Sequence, residues 1–284
     1  MDRAKKAGVD IHFGSEFLDL QTENGNTLIK VKSSAGEKLI EADYLIGADG
    51  VNSAVGKTAN LPNPKVVPLL QAEIKLPENW DSGVTKVWFD VKDTPYFYWL
   101  IPESTEKGVV GLIAEPGAEI RRLLDHFLEE RNFQPLGYQS GQAALHTPGE
   151  KLEKRVGDLN VLLVGDAAGQ VKVTTVGGTV TGLLGGQAAA CAILEKAPYR
   201  KTRLGLTREL DLHHLIRQLL EKMDQQDYVR LMGLLTPSVL SFLSQYDRDT
   251  MRQHFWKLPF KQPAFIPLGL KLFIRKLFHL KVNH

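Results

Sequence analysis

The stretch VLLVGDAAGQVKVTTVGGTVTGLLGG, residues 161–186, gathers the residues best placed to do chemistry. It holds 7 of the chain's 25 glycines and only two charged residues, Asp166 and Lys172. An apolar strand ending in Gly165–Asp166, then a glycine-rich turn and a helix, has the form of a cofactor cradle. The carboxyl end of such a strand opens into the crevice where α/β sheets bind ligands. The following helix offers unpaired N–H groups and a partial positive charge. Glycines let the backbone approach a flat ring closely, and Asp166 can accept hydrogen bonds from ribose-like hydroxyls. Two other readings compete. Asp166 could be only a helix N-cap, with the glycines easing packing. Alternatively, the 22 uncharged residues 173–194 are long enough to span a bilayer, with Gly178, Gly182 and Gly186 in small-xxx-small spacing. Residues 173–186 hold four threonines and five glycines. Each helical glycine costs about 1 kcal/mol relative to alanine, which weighs against the span. The same cost, with no ligand to offset it, weighs against the cap alone.

Three further groups of residues bear on chemistry. In YLIGADGVNSAV, residues 44–55, a short apolar strand runs into Asp49–Gly50. In FYWLIP, residues 97–102, Phe97 and Trp99 alternate; taken alone, Trp99 is a sheet-core aromatic. His213–His214 has no metal-ligand pattern near it and is read as surface. The single cysteine, Cys191, excludes an internal disulfide framework and a multi-cysteine metal site. Its apolar surroundings, AAACAIL, predict a buried, inert thiol. No metal site is expected, and no Ser/His/Asp or paired-carboxylate arrangement can be picked out.

The string GDAAGQVKVTTVGG, residues 165–178, resembles the second flavin-binding motif of the geranylgeranyl reductases, FAD enzymes of the p-hydroxybenzoate-hydroxylase-like class. The family pattern is roughly GDAAG, three residues, then PTTGGG. Here Val173 replaces the proline and Val176 the first of the three glycines, while Thr174, Thr175, Gly177 and Gly178 match. GADGVNSAV resembles the class's Asp-Gly motif, with Gly56 where an arginine usually follows. FYWLIP resembles the reductases' Tyr-x-Trp-x-Phe-Pro, keeping Trp99 and Pro102. The aromatic hydroxylases of the class usually carry a histidine after GDAA and a later Asn-x-Gly-x-x-Asp, neither of which is present.

The resemblance implies an FAD-dependent oxidoreductase that reduces carbon–carbon double bonds of isoprenoid chains, with NADPH or a reduced ferredoxin as electron donor. It implies that Gly165, Asp166 and Ala167 with Thr175, Gly177 and Gly178 form one half of the flavin site, Asp166 binding the ribityl chain. Asp49 and Gly50 would support the flavin and pyrophosphate region. Phe97 and Trp99 would face the substrate beside the flavin. A flavin monooxygenase or dehydrogenase on another apolar substrate, and a flavin-free lipid-binding remnant, stay open as alternatives. The family's opening strand, GxGxxG and helix have no counterpart here. The expectation is a truncated, split or relic chain that alone binds FAD weakly or not at all, with a complementing N-terminal fragment as partner.

The elements that must position these residues are partly legible. MDRAKKAG reads as the end of a helix closed by Gly8. Asn24–Gly25 between extended segments is a hairpin signal, Gly36 marks a second turn, and residues 10–47 form a meander feeding a buried strand. Residues 84–91, 95–102 and 108–116 suit an antiparallel sheet. AEIRRLLDHFLEERN has apolar residues at 120, 123, 124, 127 and 128, the spacing of one helix face. Residues 202–256 are mostly helical, broken at Pro237. The predicted fold class is α/β (α+β): a partial FAD/NAD(P)-binding Rossmann-like domain (1–62 and 151–198), an antiparallel β substrate domain (63–150) and a helical C-terminal region (199–284).

Composition is that of an ordinary globular chain, 43% hydrophobic and 24% charged. The net charge of +2 is uneven, because residues 254–284 hold six Lys or Arg and no Asp or Glu. In this tail Leu270, Phe273, Ile274, Leu277 and Phe278 fall on one helical face, with Lys271, Arg275 and His279 opposite. Leu272 and Lys281 break the pattern. Two outcomes fit: a helix in a membrane interface, or a packed helix with a solvated basic face. A cytoplasmic protein with peripheral membrane contact through 259–284 and no nucleic-acid partner is expected.

Overall fold

The computed structural model describes residues 2–78, 80–247 and 249–278. A short helix α1 (Asp2–Lys6) precedes the meander β1 (Glu16–Glu23), β2 (Asn26–Ser33) and β3 (Gly36–Ile40), which pair antiparallel in that order. The β1–β2 turn places Asn24 at φ 52 and Gly25 at φ 88, the left-handed pair that a two-residue hairpin requires. β4 (Tyr44–Gly47) leaves the meander, and α2 (Ala54–Thr58) follows it.

The chain then builds a five-stranded antiparallel sheet from β5 (Lys65–Lys75), β6 (Lys86–Trp88), β7 (Tyr98–Pro102), β8 (Lys107–Ile113) and β9 (Pro135–Leu145), in the order β6-β7-β8-β5-β9. Helix α3 (Ile120–Glu130) lies across one face. Leu124, Phe127 and Leu128 pack there on Ile74, Tyr98, Leu100 and Leu112. Tyr98 stacks on Phe127 with ring centroids 3.9 Å apart and donates to Asp93 at 2.8 Å.

Sequence patterning missed the two longest strands of this sheet. β9 is largely exposed and rich in Gly, Gln and Ser, so it carries no hydrophobic alternation. β5 contains Pro68, which argues against a central strand. The proline is tolerated because the β8 register begins only at Leu69, and the Pro68 carbonyl is used by the Ala114 amide.

After β9 the chain returns through β10 (Glu153–Val156) to β11 (Leu159–Leu163), which pairs antiparallel with β10 and parallel with β4. Leu159, Val161 and Leu163 are buried with Val55, Ala189 and Tyr199 in a second core. A single 3-10 turn spans Gly165–Ala168, and α4 (Thr179–Leu194) follows. The remaining helices are α5 (Tyr199–Thr202), α6 (Leu204–Leu220), α7 (Gln225–Leu234), α8 (Pro237–Leu243), α9 (Leu258–Lys261) and α10 (Phe265–Leu277). Pro237 is the first residue of α8, capped by Thr236, so the break is a helix start.

No helix among the described residues is long and apolar enough to cross a membrane. Three local expectations are corrected. Cys191 is half-buried and not buried, because α4 turns it toward the gap between α4 and α6. His213 is buried and not on the surface, because α6 packs that side against the loop before α4. The tail's basic face, solvated in one of the two outcomes left open, is turned inward: Lys271 and Arg275 pair with Asp227 on α7. His279 and Lys281 lie outside the described residues.

Candidate functional site

Register brings the two motifs together. Leu163 of β11 pairs with Gly47 of β4, and the Val164 amide donates to the Gly47 carbonyl at 3.0 Å. Asp49 and Asp166 therefore follow the carboxyl ends of two adjacent parallel strands, the position at which open α/β sheets bind ligands.

The Asp49 carboxylate organises its own turn. It accepts the Ser53 hydroxyl at 2.6 Å and the Val55 amide at 3.1 Å. Ser53 in turn caps α2 by accepting from Gly56 N at 2.8 Å. Gly50 occupies the turn at φ 81. Gly56, at the arginine position of the related motif, is buried; a Cβ there would meet Ser53 Oγ at 3.1 Å and Leu163 at 3.2 Å. A larger side chain here would have to press Ser53 and Leu163 aside.

Asp166 is not an N-cap: the cap of α4 is Gly178, and no side chain caps the amides of that helix start. The carboxylate instead lies against Gly178, where a Cβ would be 2.8 Å from Asp166 Oδ1. The two halves of the glycine-rich string thus touch, and only glycine permits it. Ala167 is buried with its methyl in the core, so it offers only backbone. The Gly165 amide is already used, donating to Gln170 Oε1 at 2.7 Å.

Gln170 and Tyr199 form the floor of this turn, and sequence reasoning passed over both. Gln170 is buried and donates to Tyr199 Oη at 2.9 Å; the hydroxyl donates to the Leu163 carbonyl at 3.1 Å. Burial pushes the Tyr199 phenol up, which keeps it a neutral donor. The available signal was a glutamine within an otherwise apolar, glycine-rich string.

The loop 171–178 separates the two threonines. Thr175 is exposed, and its amide donates to the Lys172 carbonyl while Lys172 N donates to Gly177 O at 3.0 Å. Thr174 turns inward, its hydroxyl 2.6 Å from His213 Nδ1 on α6. His213 Nε2 lies 3.8 Å from Glu209 Oε1, and burial raises the Glu209 carboxyl above its ordinary range. Lys172 pairs with Asp249. These contacts latch the loop to the helical region. Thr174→Val and His213→Ala are each expected to speed hydrogen exchange at the Lys172 and Thr175 amides roughly fivefold, one lost buried hydrogen bond being worth about 1 kcal/mol. Exchange in β5 and β8 should not change, and unaltered loop exchange would refute the latch.

Val176, where the related motif has glycine, sits at φ 52. That conformation costs an ordinary residue roughly 1–2 kcal/mol. Its side chain packs with Phe97, Trp99 and Leu145 on the cluster of Val67, Tyr96, Ile113 and Ala143. The loop therefore touches the sheet face opposite α3, where Phe97 and Trp99 lie half-buried with ring centroids 6.2 Å apart. Trp99 covers Gly111, whose absent Cβ would lie 2.7 Å from Trp99 Cε2. Gly165, Asp166, Thr175, Gly177, Gly178, Phe97 and Trp99 thus belong to one neighbourhood, and Asp49 and Gly50 border it across β4. A 970 Å³ concavity beside α3 contains none of them. Among the described residues no group of three or more His, Cys, Asp or Glu could hold a metal ion.

A family described as FAD binding domain matches residues 1–185. Digeranylgeranylglycerophospholipid reductase 3 of Methanosphaera stadtmanae is 27% identical over 296 residues, covering 98% of this chain and 71% of the relative. The digeranylgeranylglycerophospholipid reductase of Methanothrix thermoacetophila is 29% identical over 204 residues, covering 67% of this chain and 51% of the relative. The alignment with this and a similar relative thus takes in about half of their length. Among solved structures, a geranylgeranyl bacteriochlorophyll reductase-like protein of Thermoplasma acidophilum superposes with a TM-score of 0.74 at 20% identity, covering 93% of this chain and 72% of that one. A flavin-dependent brominase superposes at 0.61 with 15% identity, covering 92% and 74%. At such identities the structural likeness establishes the shared fold.

Proposed function

Because the chain belongs to the FAD binding domain family, we propose that it forms the larger part of a flavoprotein that reduces carbon–carbon double bonds in isoprenoid or prenyl-lipid chains. The observation that carries the reading is the β4–β11 register, which puts Asp49 and Asp166 just past the carboxyl ends of two adjacent parallel strands, while Val176 docks the glycine loop on the Phe97 and Trp99 face.

The residues present fit FAD. The carboxylate of Asp166 is not spent on capping and can accept from ribityl hydroxyls. Gly177 has no side chain to block a flat ring, Gly178 gives the Asp166 carboxylate its place beside the loop, and exposed Thr175 offers a hydroxyl at the same rim. Asp49 and Gly50 hold the opposite rim in shape. FAD, when bound, supplies the two-electron chemistry of the reduction. Phe97 and Trp99 give an apolar chain a surface and exclude water from it. NADPH or a reduced ferredoxin is the proposed electron source. The outer edge of β4 has no partner strand among the described residues, and Ile46 is exposed there. That edge suits a complementing segment bearing the family's GxGxxG. Peripheral membrane contact through 259–284 completes the proposal.

The test is an FAD titration followed by flavin fluorescence, on the full chain alone and with a GxGxxG-bearing family segment supplied in trans. Binding is expected to be weak alone and strengthened by the segment. Asp166→Asn should weaken it roughly tenfold to a hundredfold, since a hydrogen bond to a charged group is worth about 1.5–3 kcal/mol. Flavin binding indifferent to D166N would overturn the assignment. Product analysis separates the reactions: saturation of the prenyl chain supports the reductase, and oxygen incorporation supports a monooxygenase.

A further inference from the structure

Helix α10 is docked the opposite way to an ordinary amphipathic surface helix. Leu268, Lys271, Leu272 and Arg275, spaced i, i+3, i+4 and i+7, face the protein. Lys271 Nζ lies 2.6 Å from Asp227 Oδ1, and Arg275 reaches Asp227 at 2.7 Å and Asp224 at 3.0 Å. Leu268 and Leu272 are buried. The outer stripe is Ile266, Leu270, Phe273, Ile274 and Leu277, between 42% and 60% exposed. Just before the helix, Trp256 and Phe260 are 61% and 80% exposed. Exposed apolar side chains gathered along one helix face mark an interaction site.

The charges around the stripe indicate its partner. With Lys271 and Arg275 committed to the aspartates, Lys257, Lys261 and Lys276 remain at its margins, none in an ion pair with a carboxylate among the described residues. The segment 254–284 carries no acidic residue. An isologous contact with a second copy would set these like charges against one another. A bilayer of anionic phospholipid complements both features: the acyl boundary takes the aromatic and aliphatic side chains and the headgroups take the lysines.

We propose that the outer face of α10, with Trp256 and Phe260, is a monotopic membrane-binding surface that selects anionic phospholipid. This gives the membrane side of the proposed function its residues, orientation and lipid class, and it stands independently of the flavin side. The experiment is cosedimentation of the full chain with vesicles of phosphatidylcholine alone or mixed equally with phosphatidylglycerol. Binding is expected at least tenfold stronger to the mixed vesicles, and severalfold weaker when salt is raised from 0.05 to 0.5 M. Phe273→Asp combined with Leu277→Asp should reduce it at least tenfold. Leu194→Asp, at an 82% exposed leucine at the end of α4, should leave it unchanged. All three side chains are at least half exposed, and unchanged urea unfolding of the variants checks that the fold is retained. Equal binding to both vesicle types, binding insensitive to the double substitution, or a solution dimer that the substitution dissociates would each overturn the proposal. Loss of FAD binding with vesicle binding intact would count against the flavin reading alone.

Discussion

Gly185→Ala is expected to destabilise the chain by roughly 2–4 kcal/mol and to loosen the Gly165–Asp166 turn. A Cβ at this position would fall on the Gln170 amide, with Cδ only 2.6 Å away. Gln170 cannot step aside freely. Its side chain is buried, its oxygen holds the Gly165 amide, and its nitrogen donates to Tyr199. Moving it leaves two or three buried polar groups without partners, at about 1–3 kcal/mol each before relaxation. Gly186→Ala provides the comparison. Nothing lies within 4 Å of its absent Cβ, so alanine there should be neutral or stabilise by up to about 1 kcal/mol through helix propensity. Urea denaturation measures both, and a shifted midpoint with constant slope identifies a change in stability. Gln170→Ala in the Gly185→Ala background should recover part of the loss, giving a non-additive pair. A Gly185→Ala variant within about 0.5 kcal/mol of the parent would show that the turn tolerates displacement of Gln170.

This pair of glycines shows what sequence could and could not convey about the site. Spacing and type located the Asp49–Gly50 and Gly165–Asp166 turns, because each needs a carboxylate and a backbone conformation that few residues supply. The same reasoning gave the Asn24–Gly25 hairpin and helix α3, whose contacts are local or strictly periodic. It could not separate Gly185 from Gly186, because the difference lies in Gln170, which reaches α4 from the turn before it. It could not separate Thr174 from Thr175 either. Only the packing of α6 shows that one is latched to His213 and the other faces outward. Strands β5 and β9 escaped because a proline, and a run of glycine and glutamine, carry no alternation when the neighbouring strands do the burying. Val176 is instructive in the other direction. The glycine of the related motif fits a left-handed residue, and this chain keeps the conformation while adding a side chain that packs beside Phe97 and Trp99. In α10 periodicity gave both faces correctly, but it carries no information about which face meets the protein.

The orientation of α10 depends on a buried charge, and this yields the second large expected effect. Lys271→Met combined with Arg275→Met should cost about 3–5 kcal/mol, the usual result of leaving a buried charge without its partners. The Asp227 side chain is 2% exposed and meets both cations. It also belongs to the capping box of α7, its carboxylate accepting from the Asp224 amide at 3.3 Å. Arg275→Met alone should cost less, because Lys271 still faces Asp227. Asp227→Ala should fall between the two: the stranded cations, 38% and 22% exposed, can turn to water, while the α7 cap is weakened. Acid should mimic the loss in part. Burial works to raise the Asp224 carboxyl, but the Asp227 amide, Arg275 and Lys271 outweigh it and hold it below its ordinary value. A depressed carboxyl contributes stability that is present above its unfolded pKa and is lost as pH falls through the folded one, so the docking should weaken on acidification below about pH 4. Urea unfolding with amide exchange in α7 and α10 measures the series, and a double variant no worse than Arg275→Met would mean that Asp227 does not hold the helix. The same variants separate attachment from function at this surface. Both methionines replace inward-facing cations, so the outer stripe and its marginal lysines are untouched. Vesicle binding should therefore survive in the double variant even as α10 comes loose. If it vanished with the docking, the bilayer would be recognising the docked geometry and not the stripe itself.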